Sequence, residues 1–180
     1  PVRPISPYAA QKAIGETYCL AFYKSFGLQT VSLRYFNVFG PRQDPKSQYA
    51  AVIPKFITAM LAGREPTIYG DGKQSRDFSY IENVIHANLL AASAPETHGE
   101  AVNIACGAAT DLLAMVAMLN EILGTDIHAN HEPERAGDVK HSLADISHAH
   151  ELIGYEPRVT FAEGLRMTVE WYKHNAPPGN

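Results

Sequence analysis

The stretch SPYAAQKAIGETYCLAFYKSFGLQTVSLRYFNVFGPRQDP, residues 6–45, decides the fold class of this chain. Ser6-Pro7 is typical of a helix N-cap followed by a first-turn proline. Apolar residues at helical spacing then predict a helix from Tyr8 to Phe26, which Gly27 ends. Leu28 to Val38 is rich in valine, leucine and aromatic residues and predicts a buried strand. A helix that leads into a strand is half of a βαβ unit, so we predict an α/β protein.

The rest of the chain continues with helix and strand patterns. Helices are predicted at residues 50–61, 81–93, 110–123, 145–153 and 161–174, and strands at residues 67–69, 75–80, 101–105 and 127–131. Gly70-Asp71-Gly72 is typical of a hairpin turn between the first two of these strands. Thr110 is the predicted N-cap of the helix that ends at residue 123. Thr160 with Glu163 matches a capping box at the start of the last helix.

Composition and charge exclude several classes of protein. With 46% hydrophobic residues the chain is not disordered, and no apolar run approaches the roughly 18 residues of a membrane span. The 15 basic and 19 acidic residues argue against a general nucleic-acid-binding surface. Two cysteines form no disulfide framework, and nothing resembles a secretion leader. We therefore expect a soluble cytoplasmic protein without a nucleic-acid or membrane partner.

Tyr8 and Lys12 form the first pair suited to catalysis. Their spacing puts a phenol and an ammonium group on one helix face, one turn apart. A nearby cation favours the phenolate and lowers the tyrosine pKa. A hydride-transfer enzyme needs such a group to move the alcohol proton. The alternative is an ordinary amphipathic helix, because this spacing is common.

Three further segments carry polar groups suited to a ligand. Asn37 comes at the carboxyl end of a strand, where α/β folds bind ligands. Arg76 can offer a planar guanidinium group to a phosphate, with Asp77 orienting it or closing a structural pair. Residues 134–142 place a glycine between an arginine and an aspartate, as a ligand-wrapping loop does. Each segment also has a purely structural alternative. The Asn37 segment would then be a buried strand with a turn, the Arg76 segment an exposed hairpin with a solvated ion pair, and residues 134–142 a surface turn.

Most of the histidines are clustered in the last third of the sequence. They are His128, His131, His141, His148 and His150. Their spacing fits no zinc pattern and no cysteine is close, so we predict no metal site.

Taken in order, these segments resemble the extended short-chain dehydrogenase/reductase family, and within it the NAD-dependent epimerases and dehydratases of nucleotide sugars. The similarity is greatest to UDP-N-acetylglucosamine 4-epimerases, and it covers nearly the whole chain. The residues that carry it are 6–12, 34–45, 49–55, 70–78, 137–139 and 142.

The resemblance implies a role for each matched position. Tyr8 would be the catalytic acid/base at the sugar 4-hydroxyl, and Lys12 would bind the nicotinamide ribose and lower the tyrosine pKa. Tyr35 would lie beside the nicotinamide, so that Tyr8, Lys12 and Tyr35 together contact NAD. The residues implied to bind the UDP-sugar are Asn37, Ala51, Val52, Arg76, Arg135, Asp138 and Ser142.

Within that set the implied contacts differ. Arg76 and Arg135 would hold the diphosphate, and Asp138 the uridine ribose. Asn37 would contact the diphosphate or the sugar, and Ala51 and Val52 would line the sugar and uridine pockets. Ser142 matches a position where a bulky residue in related epimerases restricts the sugar pocket. A small serine there leaves room for an N-acetyl group, which favours UDP-GlcNAc and UDP-GalNAc, acids included.

The implied activity is NAD-dependent 4-epimerisation of a UDP-sugar through a 4-keto intermediate. The family pattern also has a glycine-rich strand–loop–helix for the NAD pyrophosphate, which this sequence does not contain. We therefore expect the catalytic-tyrosine and substrate-binding half of such an enzyme, and the independent activity of this chain is in question. The alternatives are a nucleotide-sugar-binding module without cofactor and turnover, and half of a sugar-nucleotide dehydratase.

The resemblance also implies a division of the chain. Residues 1–45 would be a remnant of the dinucleotide-binding, Rossmann-like domain, residues 46–175 mainly a small α/β nucleotide-sugar-binding domain, and residues 176–180 a flexible tail. The first helix and strand should pack on a sheet that this chain does not supply, and their apolar faces need a cover. We expect self-association through the Tyr8–Phe26 helix, as a homodimer, or a rearrangement in which these elements cover one another.

Overall fold

The computed structural model describes residues 3–45, 52–134 and 139–175. The helices in these ranges are α1 (Pro7–Phe26), α2 (Val52–Leu61), α3 (Ile81–Ser93), α4 (Leu112–Leu123), α5 (Ser147–Ile153) and α6 (Phe161–Asn175). The strands are β1 (Val31–Tyr35), β2 (Val38–Phe39), β3 (Thr67–Tyr69), β4 (Ser75–Asp77), β5 (Ser79–Tyr80), β6 (Glu100–Ile104), β7 (Ala109–Asp111), β8 (Asn130–Glu132) and β9 (His141–Ser142). The predicted α/β class is confirmed.

Most strand pairs are parallel and join distant parts of the chain. β1 pairs with β6 along their full lengths, from Val31 opposite Glu100 to Tyr35 opposite Ile104. β2 pairs with β5, and β3 with β8, also in parallel. β4 lies between β7, which is antiparallel to it, and β9, which is parallel. Parallel pairing requires crossover connections, and helices supply several of them here.

The predicted hairpin around Gly70-Asp71-Gly72 is wrong. The strands on its two sides, β3 and β4, do not pair with each other among the described residues. β3 pairs with β8, and β4 has both of its edges occupied by β7 and β9. The turn chemistry was present, but longer-range pairing determined the partners of both strands.

Helix α1 has the predicted N-cap and C-cap, but its side chains are little buried against the rest of the chain. The Ser6 hydroxyl accepts from the Ala9 amide at 3.1 Å, and Gly27 closes the helix in the left-handed region. None of its twenty residues, all of them described, is buried. Glu16 makes a bidentate pair with Arg34 of β1, with both distances at 2.6 Å. That hydrogen-bonded pair lowers the pKa of Glu16 and raises the pKa of Arg34.

A close backbone approach also holds α1 near β6. Gly99, just before β6, has a φ of +83°, and a Cβ there would lie 2.6 Å from the Leu20 Cα of α1. Only glycine allows both that conformation and that distance. The alternative expectation, a rearrangement that covers the apolar face of α1, does not fit this exposed helix.

The predicted strand from Leu28 to Val38 is divided into two. β1 ends at Tyr35, and β2 begins at Val38. Between them Asn37 takes a φ of +34°, a left-handed conformation that asparagine tolerates better than most residues. The break turns the chain from the partner of β1 to the partner of β2.

Two clusters of buried side chains form the core. The larger one lies among α2, α4 and α6 and includes Ile57, Ile68, Met115 and Leu165. The smaller one lies beside the β1–β6 pair and is made by Ala87, Val102, Ile104, Ala149, Ile153 and Tyr155. The larger cluster supports the candidate site described below.

Helix caps were predicted with partial success. The capping box at the start of α6 is confirmed, because the Thr160 amide donates to Glu163 and the Glu163 amide donates to the Thr160 hydroxyl. These bonds from Thr160 lower the pKa of Glu163. For α4 the prediction is wrong by one residue: the side chain of Asp111, not Thr110, accepts from the Ala114 amide. Asp accepts well at this position, and Thr110 is taken up in β7.

No helix in the described residues is long and apolar enough to cross a membrane. No group of three or more histidine, cysteine or acidic side chains in the same residues is placed to hold a metal ion.

Candidate functional site

A cavity of about 630 Å³ is bounded by α2, β3 and β4. Asn37, Val52 and Arg76, three of the residues predicted to bind a ligand, line it. Its volume is in the range of pockets that enclose cofactors and small metabolites. These three positions come from distant parts of the sequence, and the fold brings them to one place.

The cavity wall carries more positive than negative side chains. Lys55 of α2, Arg64 before β3 and Arg76 of β4 line it, together with one carboxylate, Glu65, among the described lining residues. Converging cations raise the local concentration of an anion. Val52 of the same wall is half-buried and adds apolar surface. The cavity therefore suits a ligand with an anionic part and an apolar part.

Arg76 is the middle residue of β4, the central strand of its sheet. It lies opposite Thr110 of β7 on one side and Ser142 of β9 on the other. Its Nη1 donates to the carbonyl oxygens of Ser75, at 3.0 Å, and Lys140, at 3.2 Å. Because two backbone carbonyls anchor one nitrogen, the guanidinium plane is held at the cavity wall. A fixed planar fork of N–H groups matches phosphate geometry.

Asn37 is held in the cavity wall by two bonds to the β4–β5 segment. Its Nδ2 donates to the carbonyl oxygen of Asp77 at 2.8 Å, and the Ser79 amide donates to the Asn37 carbonyl at 3.3 Å. The side chain is thus fixed in spite of the left-handed backbone. As predicted, a polar side chain follows the carboxyl end of β1.

One of the sequence interpretations, that Asp77 orients Arg76 by a direct bond between the two side chains, is wrong. The Asp77 side chain is fully buried, and the bonds described for its carboxylate come from backbone amides: Cys106 at 2.9 Å, Gly107 at 3.0 Å and Ala144 at 3.4 Å. Neighbouring residues of a strand point to opposite faces, so Arg76 and Asp77 cannot both face the cavity.

The remaining residues predicted for the UDP-sugar are less well placed or lie outside the described ranges. Ser142 is half-buried on β9 opposite Arg76, and it is not among the described residues that line the cavity. Ala51, Arg135 and Asp138 lie outside the described residues. The strand pairing nevertheless brings Ser142 next to an established wall residue.

Tyr8, Lys12 and Tyr35 do not line the cavity in the described part of the chain. Tyr8 is 69% exposed, and the Lys12 Nζ lies 5.3 Å from the centre of its ring, so the predicted adjacency on one helix face is present. The Tyr35 hydroxyl, at the end of β1, donates to Asn88 Oδ1 at 3.1 Å.

Tyr8 and Lys12 suit the nicotinamide-ribose end of NAD. An exposed phenol and an exposed ammonium group stand side by side on α1, where they can reach the hydroxyls of a ribose. The glycine-rich turn that cradles a dinucleotide pyrophosphate is not in this sequence. The residues present therefore suit the nicotinamide-ribose end of the cofactor alone.

Sequence reasoning did not select several residues of the cavity wall. Lys55 and Arg64 were missed as candidate ligands, as were Tyr69 and Gln74, whose Nε2 donates to the Tyr69 carbonyl at 2.7 Å. For Lys55 a signal existed, because it is the one charged residue of helix α2, which is otherwise apolar except for Thr58. The other three lie in irregular segments or short strands whose partners cannot be read locally.

Comparison with known proteins adds to this geometry. The model of the NAD dependent epimerase/dehydratase family matches residues 1–105. The UDP-glucose 4-epimerase of Mycolicibacterium smegmatis is 35% identical over 176 residues, which are 98% of this chain and 56% of that protein. The chain thus spans about half the length of the curated relatives it matches.

Solved structures with similar sequences share the fold. The UDP-N-acetylglucosamine 4-epimerase from Methanobrevibacter ruminantium M1, in complex with UDP-N-acetylmuramic acid, is 48% identical with a TM-score of 0.89 over 96% of this chain and 55% of that one. The UDP-glucuronic acid 4-epimerase from Bacillus cereus, in complex with UDP-glucuronic acid and NAD, is 35% identical with a TM-score of 0.84 over 96% of this chain and 54% of that one.

Proposed function

The chain belongs to the NAD dependent epimerase/dehydratase family, and we propose that it supplies the UDP-sugar cavity and the acid/base helix of an NAD-dependent UDP-sugar 4-epimerase. The observation that carries the proposal is that Asn37, Val52 and Arg76 line one cationic cavity. Similar proteins are UDP-sugar 4-epimerases, and one of them is bound to both a UDP-sugar and NAD.

In this proposal the cavity holds the UDP part of the substrate. Arg76 takes the diphosphate with its anchored guanidinium, and Arg135 contributes a second cation. Asn37 donates to the diphosphate or the sugar through the N–H of Nδ2 that Asp77 does not use. Asp138 accepts from the uridine ribose. Lys55 and Arg64 add positive charge to the wall, which supports binding of a dianionic group.

The chemistry is proposed for the Tyr8–Lys12 face of α1. Tyr8 takes the proton of the sugar 4-hydroxyl and later returns it, while Lys12 binds the ribose beside it. Bound NAD supplies the acceptor, and then the donor, for the hydride at C4. Because Arg76 and Asn37 hold the diphosphate, the 4-keto sugar can turn its other face without leaving. Proton transfer by one positioned side chain serves both directions of this cycle.

The proposal assigns the two functions to the two segments that the sequence analysis distinguished. Residues 1–45 carry the acid/base pair, and residues 46–175 provide most of the described cavity wall, from Val52 to Leu112. Asn37 is the exception, since it lies in the first segment and reaches the second through Asp77. Residues 176–180 lie outside the described residues.

We propose UDP-GlcNAc and UDP-GalNAc as the substrates, because residue 142 is a small serine beside Arg76. The Ser142→Tyr variant is expected to bind UDP-GlcNAc about tenfold or more weakly, since an aromatic ring would fill the space of the N-acetyl group. Calorimetric titration with UDP-GlcNAc and UDP-glucose measures the change. Affinity for UDP-glucose should stay within about twofold, because its 2-hydroxyl needs little room.

Ser142→Ala is the matched control for that variant. It keeps a small side chain on β9, and its selectivity should equal that of the wild type. Equal losses of UDP-GlcNAc and UDP-glucose binding in Ser142→Tyr would contradict the proposed substrate, because they would indicate general damage to the site.

We also propose that the chain self-associates through α1. Tyr18, Phe22 and Phe26 form an exposed aromatic row on this helix, with successive ring centres 6.5 and 5.6 Å apart. Their exposed fractions are 61%, 44% and 76%. Exposed apolar surface of this kind is typical of an interface. The resemblance noted from the sequence implies a dimer contact at the same helix.

The Phe22→Glu variant is expected to shift the chain toward monomer. Light scattering after size exclusion at micromolar concentration measures the change. Because α1 buries none of its described residues, the variant should melt at the wild-type temperature. Lys24→Gln changes the net charge by the same amount on the same helix and should leave the association intact. A wild-type chain that elutes as a sharp monomer would contradict self-association.

A further inference from the structure

We propose that Asp77 is the positioning residue of the UDP-sugar cavity: its carboxylate holds the segments on both sides of Arg76, and its backbone carbonyl holds Asn37. This inference rests on the proposed function, because the cavity must bind the UDP-sugar for its shape to matter. It assigns to Asp77 a role different from that of its neighbour Arg76, which contacts the ligand.

The two residues face opposite sides of β4. Arg76 lines the cavity, whereas Asp77 is fully buried. In a strand successive side chains alternate between the two faces of the sheet. Asp77 therefore positions Arg76 from the face of the sheet opposite the cavity.

The carboxylate joins the two segments that flank β4. Oδ1 accepts from the Cys106 amide at 2.9 Å and Oδ2 from the Gly107 amide at 3.0 Å, in the turn between β6 and β7. Oδ2 also accepts from the Ala144 amide at 3.4 Å, just after β9. Ser142, the residue opposite Arg76, is two positions away from that last contact. One side chain thus spans the whole width of the three-stranded sheet.

The backbone of Asp77 fixes the second cavity residue. Its carbonyl accepts from Asn37 Nδ2 at 2.8 Å. Asn37 has a left-handed φ of +34° between two strands, so its side chain needs an anchor to keep one orientation. A shift of Asp77 would therefore move Asn37 and Arg76 together.

A buried carboxylate requires hydrogen bonds that replace its lost hydration. A charge taken out of water is costly unless hydrogen bonds replace its hydration, and three backbone amides do so here. The nearby Cys106 thiol stays neutral, because burial, reinforced by the Asp77 charge, raises its pKa. Loss of the carboxylate would leave amides of both flanking segments without an acceptor.

Asn83 offers a matched control from the same fold. It is also fully buried, and it makes three bonds to the backbone: Nδ2 donates to the Val159 carbonyl at 2.8 Å, and Oδ1 accepts from the Arg158 and Val159 amides at 2.9 and 3.0 Å. Its Nδ2 also lies 3.6 Å from Cys106 Sγ, but Asn83 takes no part in the bond between the Cys106 amide and Asp77. None of Asn83, Arg158 and Val159 lines the cavity in the described part of the chain. Truncation of Asn83 therefore removes a comparable set of structural bonds but leaves the amide bonds of the Asp77 carboxylate and the described cavity lining in place.

The test compares Asp77→Ala and Asp77→Asn with Asn83→Ala. Thermal melting is measured first, and UDP affinity is then measured by calorimetry well below each melting temperature. Both alanine variants should melt earlier. Asp77→Ala should bind UDP about tenfold more weakly, whereas Asn83→Ala should remain within about twofold of the wild type. Asp77→Asn, which keeps an acceptor oxygen, should lie between Asp77→Ala and the wild type, and it carries the test if Asp77→Ala does not fold.

A coupling measurement separates positioning from general loss of stability. Asn37→Ala should weaken UDP binding in the wild-type background and have a smaller effect when Asp77 is asparagine, because the backbone of a displaced residue 77 no longer presents its carbonyl to Asn37 Nδ2 in the wild-type position. Additive effects, or Asp77 variants that bind UDP like the wild type, would overturn the inference alone. A folded wild-type chain that does not bind UDP would overturn the proposed function, and the inference with it.

Discussion

Replacing Tyr8 by phenylalanine is expected to lower the rate of UDP-sugar epimerisation by about 10²- to 10⁴-fold. The substitution removes the hydroxyl of an exposed ring whose centre lies 5.3 Å from Lys12 Nζ on α1. The variant therefore lacks the proposed proton acceptor for the sugar 4-hydroxyl. The rate is measured on the protein as its gene encodes it, by following conversion of UDP-GlcNAc to UDP-GalNAc by NMR with NAD⁺ present. Affinity for UDP should not change, because Tyr8 does not line the cavity in the described residues.

Tyr23→Phe is a closely matched control on the same helix. The Tyr23 ring also has a lysine beside it, with Lys24 Nζ 5.5 Å from the ring centre, compared with 5.3 Å for Lys12 and Tyr8. Loss of this second phenol should leave the rate unchanged. If both variants, or neither, lost activity, the assignment of Tyr8 as the acid/base would be contradicted.

Replacing Arg76 by alanine is expected to weaken UDP-GlcNAc binding by about 10- to 150-fold. This range corresponds to the loss of about 1.5–3 kcal/mol for a hydrogen bond to a charged group. The guanidinium group is anchored by the Ser75 and Lys140 carbonyls at the wall of the cavity, so its planar fork is lost in the variant although Lys55 and Arg64 remain in the wall. Calorimetry measures the affinity, and a rise in salt concentration should reduce the difference between wild type and variant.

Two further variants show whether geometry or charge is lost. Arg76→Lys keeps the charge without the planar fork and should recover only part of the affinity. Lys173→Ala removes a cation on α6, where Lys173 pairs with Glu170, and should bind as the wild type does. If Arg76→Ala bound UDP-GlcNAc with wild-type affinity, the diphosphate would have to lie elsewhere.

The sequence was most informative where local chemistry determines structure. Helix α3 has the predicted bounds, Ile81–Ser93, and α1 has the predicted N-cap and C-cap, because periodicity and capping act over a few residues. The hairpin at residues 70–72 failed, because strand pairing depends on partners far away in the sequence. The break at Asn37 was not predicted for the same reason, since it allows the chain to change its pairing partner from β6 to β5.

The candidate site was predictable in part. Asn37, Val52 and Arg76 were selected from the sequence and line one cavity, while Tyr8 and Lys12 are adjacent as their spacing predicted. What could not be read was the role of Asp77, whose partners are backbone amides and carry no side-chain signal. The roles of Ala51, Arg135 and Asp138 remain predictions, since these residues lie outside the described ranges.

The most direct test of the central claim, that this chain builds a UDP-sugar site, is a calorimetric titration of the folded wild-type protein with UDP-GlcNAc, followed by NAD⁺. We predict saturable binding of UDP-GlcNAc, which UDP alone competes away. Binding of NAD⁺ as well would extend the site to the cofactor and make turnover the next measurement. If folded protein gave no saturable heat with UDP-GlcNAc, the cavity at Asn37 and Arg76 would not be a competent sugar-nucleotide site, and the claim would be contradicted.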